Sequence, residues 1–134
     1  MTPWWSGSRI GYERRGFLWL EYFADGPNAN FFAPAIENIS ELVVSSISLY
    51  EVFKRVLQQR GEGEALQVVA VMQQGTVVAL DTTLALDAAG LSAELGLPMA
   101  DSVTLATARA YKATLWTQDA DFREVEGVQY VERR

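Results

Sequence analysis

Two neighbouring segments decide how this chain folds: residues 97–108 read LPMADSVTLATA, and residues 114–122 read TLWTQDADF. Pro98 suits the first turn of a helix, where its missing N–H costs nothing. Small residues then recur at helical spacing, so the predicted helix can pack close to a sheet. The second segment predicts a short buried strand that is followed by two carboxylates, Asp119 and Asp121.

Strand and helix patterns alternate along the rest of the chain. This alternation predicts a single α/β domain with a central, mostly parallel sheet between two helical layers, a three-layer αβα arrangement. Residues 1–15 show no period of 2 or 3.6 and are interpreted as an irregular leader, so the domain is predicted to span residues 16–134. Strands are predicted at 42–47, 76–80, 114–117 and 127–131.

Capping residues predict where two of the helices begin. Asn28 precedes an apolar helical pattern and is a favourable N-cap. Ser48 and Glu51 have the spacing of a capping box, in which the carboxylate accepts a hydrogen bond from the backbone N–H of the capping serine. The helix that begins at Ser48 is predicted to form an αα-hairpin with the next helix.

The composition restricts the available chemistry. Of the 134 residues, 49% are hydrophobic, which is typical of a globular domain, and no apolar run reaches the ~18 residues of a membrane span. The sequence has neither cysteine nor histidine, which excludes thiolate and imidazole catalysis. A net charge of −6 argues against binding nucleic acid by bulk attraction. Catalysis would have to use carboxylates, lysine, arginine, hydroxyls and a hard metal ion.

Four acidic residues are expected near the carboxyl edge of the sheet. Glu51, Asp101 and Asp119 all fall at this edge, with Asp121 close by. Each has an ordinary structural explanation as a cap, a helix-dipole partner or a turn residue. Clustered carboxylates repel one another unless a cation neutralises them, and Mg²⁺ or Mn²⁺ suits ligands that are all oxygen.

Residues 100–108 (ADSVTLATA) and 117–122 (TQDADF) resemble the PIN-domain ribonucleases of the VapC toxin type, the toxins of type II toxin–antitoxin pairs. The similarity runs from about Trp19 to the C-terminus. It implies a PIN-like fold, a metal-dependent endoribonuclease that hydrolyses RNA phosphodiesters, and a cognate antitoxin protein as partner. It assigns catalysis and metal binding to the acids Glu51, Asp101 and Asp119, with Asp121 as a further metal ligand.

Three other residues are candidates for substrate binding. Ser46 and Thr117 fall at strand ends, where their hydroxyls can hydrogen-bond metal ligands or the substrate phosphate. Lys54 follows Glu51 by about one turn and can contact RNA, although an exposed lysine on a helix is more often solvated surface.

The sequence departs from the PIN family at its first acid. Family members carry that acid at the end of an N-terminal strand, and here the corresponding place falls near Arg14, Arg15 and Gly16. The codons CGT-GGA-TTC-CTC-TGG would encode residues 15–19, and shifted by one nucleotide they read Val-Asp-Ser-Ser-Gly. We therefore hypothesise that everything before about Trp19 is a frame-shifted leader.

Two further functions remain open. A catalytically impaired PIN-fold protein would act only through antitoxin binding or dimerisation, and the arginines in place of the first acid favour it. A receiver-like phospho-acceptor would need an acidic pair near the N-terminus and a lysine beyond a late strand, and neither is evident.

Location and assembly are also expected from the sequence. The apolar run at 16–20 is cut short by Glu21 and lacks a cleavage site, so we expect a cytoplasmic protein. Residues 31–72 supply more apolar side chains than one flank of a small sheet can hide, which predicts a homodimer. We expect an antitoxin segment to insert near Phe53 and Leu57.

Overall fold

The structure, a computed structural model, describes Trp19, residues 28–117 and residues 119–132. The predicted leader, residues 1–15, lies outside these residues. The helices are α1 (Ala29–Glu37), α2 (Ser46–Arg60), α3 (Glu62–Met72), α4 (Thr82–Leu95) and α5 (Met99–Ala110), and the strands are β1 (Val43–Ser45), β2 (Thr76–Val78), β3 (Leu115–Thr117) and β4 (Val128–Tyr130). Among the described residues, none of the helices has both the length and the apolar character needed to cross a membrane.

The strands pair in parallel. Val44 of β1 lies opposite Val77 of β2, and Trp116 of β3 lies opposite Gln129 of β4. Helices alternate with these strands, which confirms the predicted α/β class. The strands that the structure describes form two two-stranded sheets, β1–β2 and β3–β4, instead of one continuous sheet.

The junction between β1 and α2 differs from the prediction. The capping box is wrong, because Ser45 is the N-cap and its Oγ accepts a hydrogen bond from the Ile47 N–H at 3.3 Å. Because a serine stands directly at the strand end, the N-cap is Ser45 instead of the predicted Ser48, and the helix begins three residues earlier than predicted. Ser48 and Glu51 consequently lie inside α2, and the strand runs into the helix without a loop.

Asn28 precedes α1 as predicted, but its side chain does not cap the helix. Its Nδ2 donates to the carbonyl oxygen of Glu132 at 3.1 Å instead. The amide is buried, and the carbonyl group just past β4 is the partner that this position offers. The bond therefore ties the start of α1 to the end of β4.

The entry into β2 is tightly packed although the strand itself is largely exposed. The Thr76 N–H donates to the Leu42 carbonyl at 2.8 Å. A Cβ on Gly75 would lie 2.9 Å from both that oxygen and the Leu42 Cγ. Of the strand predicted at 76–80, the structure forms Thr76–Val78, and only Val78 is buried.

The helices α4 and α5 form a hairpin that carries part of the site. Asp81 caps α4 through its Oδ1, which accepts from the Leu84 N–H at 2.9 Å, and Gly96 ends it with φ +71°. Pro98 sits at the N-cap of α5. The buried face of α5 consists of Ser102, Val103, Leu105, Ala106, Thr107 and Ala108.

The main core lies between α1, the α2–α3 hairpin and β1. Phe32, Val56, Val68 and Met72 are fully buried there. Most of the apolar side chains in residues 31–72 that were expected to exceed the space in the core are therefore buried or half-buried in it. What remains exposed on the hairpin includes Leu57, at 40%.

Candidate metal centre

Three carboxylates from the C-terminal third of the chain converge beyond the carboxyl end of β3. Asp101 comes from the first turn of α5, Asp119 follows β3, and Asp121 lies in the short 3₁₀ turn Ala120–Phe122. One oxygen from each lies within 4.8 Å of the others. Opposite ligands of a Mg²⁺ ion are about 4 Å apart. The three oxygens are therefore within about 1 Å of the spacing that a single coordination shell requires, which small side-chain rotations would supply.

The chain after β3 is folded so that Asp119 points inward. The Thr117 Oγ1 accepts a hydrogen bond from the Asp119 N–H at 3.0 Å. The Asp119 Oδ1 in turn accepts from the Asp121 N–H at 2.9 Å, which caps the 3₁₀ turn. Asp119 is only 2% exposed, whereas Asp121 lies at the surface. Thr117 therefore contacts the backbone of Asp119, and its role in substrate binding stays a prediction.

The electrostatics of the cluster centre on Asp101. The pKa of Asp101 is raised from its usual 3.8 to about 7, most strongly by burial, then by the charge of Asp119 and a hydrogen bond to its side chain, and by the charges of Glu51 and Asp121. The cluster is thus unfavourable in its fully ionised form without a cation. A proton or a metal ion on Asp101 relieves the repulsion.

Glu51 stands beside the group of three acids instead of within it. It lines a small cavity of about 40 Å³ together with Asp101 and Thr117. Burial raises the pKa of Glu51 as well. A single water molecule needs roughly 10–15 Å³ of cavity volume, so the cavity has room for a small ion and a few waters.

The other candidate residues have contacts of their own. The Ser46 Oγ accepts from the Leu80 N–H at 3.3 Å and links the chain after β2 to the start of α2. Lys54 is exposed, and its Nζ lies 5.8 Å from the centroid of the Tyr50 ring. Neither contact involves an acid of the cluster.

Two residues that the sequence interpretation missed also line the small cavity. Thr104 lies one helical turn after Asp101 and was recognisable from that spacing. Trp116 precedes Thr117 on β3, and nothing in the sequence indicates which way it faces. Its ring packs against Phe31, with centroids 5.2 Å apart.

The donor set suits a hard divalent cation. All of the converging groups are carboxylate oxygens, which Mg²⁺ and Mn²⁺ prefer. Burial, and after it the neighbouring carboxylates, raise the pKa of Asp101, so a cation would stabilise its ionised form. A metal ion would be held by Asp101, Asp119 and Asp121.

A comparison of the sequence with protein-family models identifies the family. The PIN domain family model matches residues 18–128, and the chain belongs to this family. This confirms the resemblance stated above. No match was found among curated proteins.

Solved structures share this fold. A chain of a toxin–antitoxin complex from Klebsiella pneumoniae is 21% identical, with a TM-score of 0.72 over 87% of this chain and 94% of that one. A DNA-bound VapBC from Salmonella typhimurium is 18% identical, with a TM-score of 0.63 over 84% and 89%. VapBC2 from Rickettsia felis, bound to a DNA fragment from its promoter, is 15% identical, with a TM-score of 0.63 over 87% and 92%.

Proposed function

We propose that this protein is a metal-dependent endoribonuclease, the toxin of a toxin–antitoxin pair. The observation that carries the proposal is the convergence of Asp101, Asp119 and Asp121 beside Glu51 in a PIN domain. The substrate is RNA, and the metal is Mg²⁺ or Mn²⁺. The likeness to chains from toxin–antitoxin complexes supports an antitoxin as partner.

Each acid has a distinct part in the proposed reaction. A bound divalent ion would orient the phosphodiester and lower the pKa of the attacking water. Asp101, Asp119 and Asp121 would hold the ion, and the Thr117 hydroxyl fixes the backbone of Asp119. Glu51 has a raised pKa and lies at the edge of the cluster, where its carboxylate can accept the proton from water.

The remaining substrate contacts are proposed at the rim of the site. Lys54 is exposed one turn past Glu51 and would contact an RNA phosphate. Ser46, at the start of α2, accepts a hydrogen bond from the Leu80 N–H, and its hydroxyl proton can still be donated to a phosphate oxygen. We place the protein in the cytoplasm, as a homodimer bound to its antitoxin.

The test is cleavage of a labelled single-stranded RNA pool in Mg²⁺ or Mn²⁺. One sample is the chain as written, and the other carries Arg14→Val, Arg15→Asp, Gly16→Ser, Phe17→Ser and Leu18→Gly, hereafter the five-substitution variant. If the segment before Trp19 is a frame-shifted leader that lacks the first acid, we expect near-background cleavage by the first sample and metal-dependent cleavage by the second. Adding Asp101→Asn or Glu51→Gln to the second should abolish cleavage. Metal-independent cleavage, or cleavage that survives Asp101→Asn, contradicts the proposal.

A catalytically impaired protein is the second candidate. It is favoured by the arginines at positions 14 and 15, where the family carries an acid. In that case the five-substitution variant would remain inactive, while the chain as written would still bind an antitoxin or a second copy of itself. Co-purification with the antitoxin encoded beside it, in the absence of cleavage, identifies this function.

A further inference from the structure

Two pairs of side chains, each a cation over an aromatic ring, lie beside the acid cluster. On α2, the Lys54 Nζ is 5.8 Å from the centroid of the Tyr50 ring. Near the end of the described chain, the Arg123 guanidinium carbon is 5.6 Å from the centroid of the Tyr130 ring. Such pairs occur roughly once per 70–80 residues, so their number here is ordinary. Their position is informative, because both adjoin residues of the proposed site.

The first pair shares a helix surface with Glu51. Tyr50 directly precedes Glu51, and Lys54 follows it by three residues, which makes Lys54 its neighbour one turn further along α2. Glu51 is half-buried and lines the small cavity, whereas Lys54 is exposed and Tyr50 is 61% exposed. A ligand that leaves the cavity along α2 therefore meets Lys54 and the Tyr50 ring.

The second pair adjoins Asp119 through the register of β3 and β4. Tyr130 lies opposite Thr117, so the two side chains project from the same face of the sheet. Thr117 lines the small cavity, and its Oγ1 accepts from the Asp119 N–H. Arg123 directly follows the 3₁₀ turn that carries Asp121, and its side chain is hydrogen-bonded to that of Tyr130. This pair therefore lies at the rim of the acid cluster.

The two pairs lie on opposite sides of the acids. One edge of β3 pairs with β4. At its other edge, a cavity lined by residues 42–45 and residues 113–116 separates β3 from β1, which leads into α2. Because Asp119 follows β3, the Tyr130 ring lies on the β4 side of the cluster and the Tyr50 ring lies on the β1 side. A polymer that crosses the acids would pass from one pair to the other.

The cations of the two pairs supply positive charge where a polyanion needs it. The acids repel phosphates, and the chain carries a net charge of −6. Lys54 and Arg123 both stand at the acid end of the fold. Arg109 and Lys112, in contrast, stand at the C-terminal end of α5 or just past it, about 12 Å or more along the helix axis from Asp101.

We propose that these two pairs are nucleotide-binding subsites on either side of the metal centre, the Tyr50 subsite (Tyr50 and Lys54) and the Tyr130 subsite (Tyr130 and Arg123). In each subsite the tyrosine ring stacks on an unpaired base, and the cation contacts an adjacent phosphate. The cation covers only one face of the ring. The scissile phosphate would lie between the subsites, at the acids. This proposal rests on the proposed nuclease function and names the side chains that position RNA for it.

Fluorescence anisotropy with a labelled, random-sequence RNA of about eight nucleotides tests this proposal. The comparison probe is an abasic ribose–phosphate chain of the same length, which has the charges without the bases. In chelator, Tyr50→Leu and Tyr130→Leu should each weaken RNA binding about fivefold or more and leave binding of the abasic chain unchanged. Tyr50→Phe and Tyr130→Phe keep the rings and should bind RNA as tightly as the chain as written.

Substitution of the cations should have a different signature. Lys54→Met and Arg123→Met should weaken binding of both probes, and each should lower the slope of log affinity against log salt concentration by about 0.7. Tyr111→Leu and Lys112→Met are the matched controls, because this tyrosine and lysine are exposed just past the C-terminal end of α5. They should change the affinity for neither probe.

Arg123→Met keeps the test decisive if Tyr130→Leu impairs folding, because Arg123 is exposed. Undiminished RNA binding by the leucine variants, an equal loss with the abasic chain, or no RNA binding by the chain as written overturns the proposal. So does a loss of affinity for the antitoxin alone, which would make this rim a protein-binding surface. The assay needs neither metal nor cleavage. RNA binding that depends on both tyrosines, without metal-dependent cleavage, would therefore contradict the nuclease function and support the subsites.

Discussion

The side chain of Asp101, in the first turn of α5, is hydrogen-bonded to that of Asp119, directly after β3. Two carboxyl groups can share such a bond only when one of them holds a proton. The raised pKa of Asp101, about 7, is consistent with this sharing. A metal ion would replace the proton, so protonation and metal binding compete at the same oxygens.

Without metal, the free energy of unfolding should fall as the pH rises from about 4 to about 7. The folded protein holds a proton on Asp101 up to about pH 7, whereas the unfolded chain loses it near 3.8. The folded state therefore binds more protons across this interval, and its stability declines as the pH increases. Urea titrations at several pH values, in the presence of a chelator, measure how the free energy of unfolding changes with pH. Asp101→Asn should remove most of this pH dependence. The control Asp87→Asn, on the exposed face of α4, should leave it unchanged.

Mg²⁺ or Mn²⁺ should raise the melting temperature most strongly above pH 7, where Asp101 is ionised. Binding to the folded state alone adds RT ln(1 + [L]/Kd), about 2.7 kcal/mol at 100 times Kd. Asp101→Asn should abolish this increment with little loss of stability in chelator, because relief of repulsion offsets a lost helix-dipole contact. Unfolding of Asp101→Asn in metal-free buffer would instead assign Asp101 a structural role.

Arg15→Asp alone should restore less RNA cleavage than the five-substitution variant. If Arg15 stands where an acid belongs, its charge opposes a divalent ion, and at an effective dielectric of ~20 a like charge ~4 Å away costs several kcal/mol. The single change removes that cost but leaves Phe17 and Leu18 in the turn. Initial cleavage rates of the two variants under identical metal concentrations compare them. Strong cleavage by the chain as written would falsify the requirement for a fourth acid.

Leu57→Lys should weaken association with the antitoxin. Separately, light scattering should show that the free protein is a homodimer. Leu57 is 40% exposed on α2, next to the half-buried Phe53, so it offers an apolar contact. Leu86→Lys is the control, because Leu86 is 69% exposed and belongs to α4, not to the α2–α3 hairpin. Isothermal titration with the antitoxin should show a loss of about tenfold or more for Leu57→Lys, equivalent to roughly 1.4 kcal/mol. Equal effects of the two lysine substitutions would contradict the predicted antitoxin contact at Leu57. A monodisperse monomer at high concentration would contradict the predicted homodimer.

Gly75→Ala should destabilise the fold by about 1–3 kcal/mol, because its Cβ would lie 2.9 Å from the Leu42 carbonyl oxygen at the start of β2. Gly63 supplies the matched control, because a Cβ there meets nothing within 4 Å and the residue is helical. Gly63→Ala should stabilise by roughly 0.4–1 kcal/mol. Thermal or urea unfolding of both variants should give shifts of opposite sign.

The sequence predicted the elements better than their junctions. Alternating patterns gave the four described strands and the αα-hairpin, because burial of one face leaves a clear period in the sequence. Capping was harder, since Ser45 and Ser48 are both acceptable N-caps and only the three-dimensional strand end chooses Ser45. Asn28 illustrates the same limit, because its partner Glu132 lies 104 positions away.

The acid cluster was predicted from residue type and spacing, but the sequence did not predict which of the four acids would converge and which would lie beside the others. Asp101, Asp119 and Asp121 do converge, whereas Glu51 lies beside them. This difference arises because α2 starts directly at the end of β1, which fixes the position of Glu51 along the helix. The cavity between β1 and β3 could not be foreseen either, since the gap appears only when the two sheets are placed together.

The order in which the acids occur along the chain also matters while the protein is being made. Glu51 emerges from the ribosome well before Asp101, and Asp119 and Asp121 are added later still. Domains form during synthesis as their segments become available, beginning at the N-terminus. Because the convergence needs these late residues, a nascent chain has no complete set of ligands. Metal binding by all of these acids therefore has to follow the synthesis of Asp119 and Asp121.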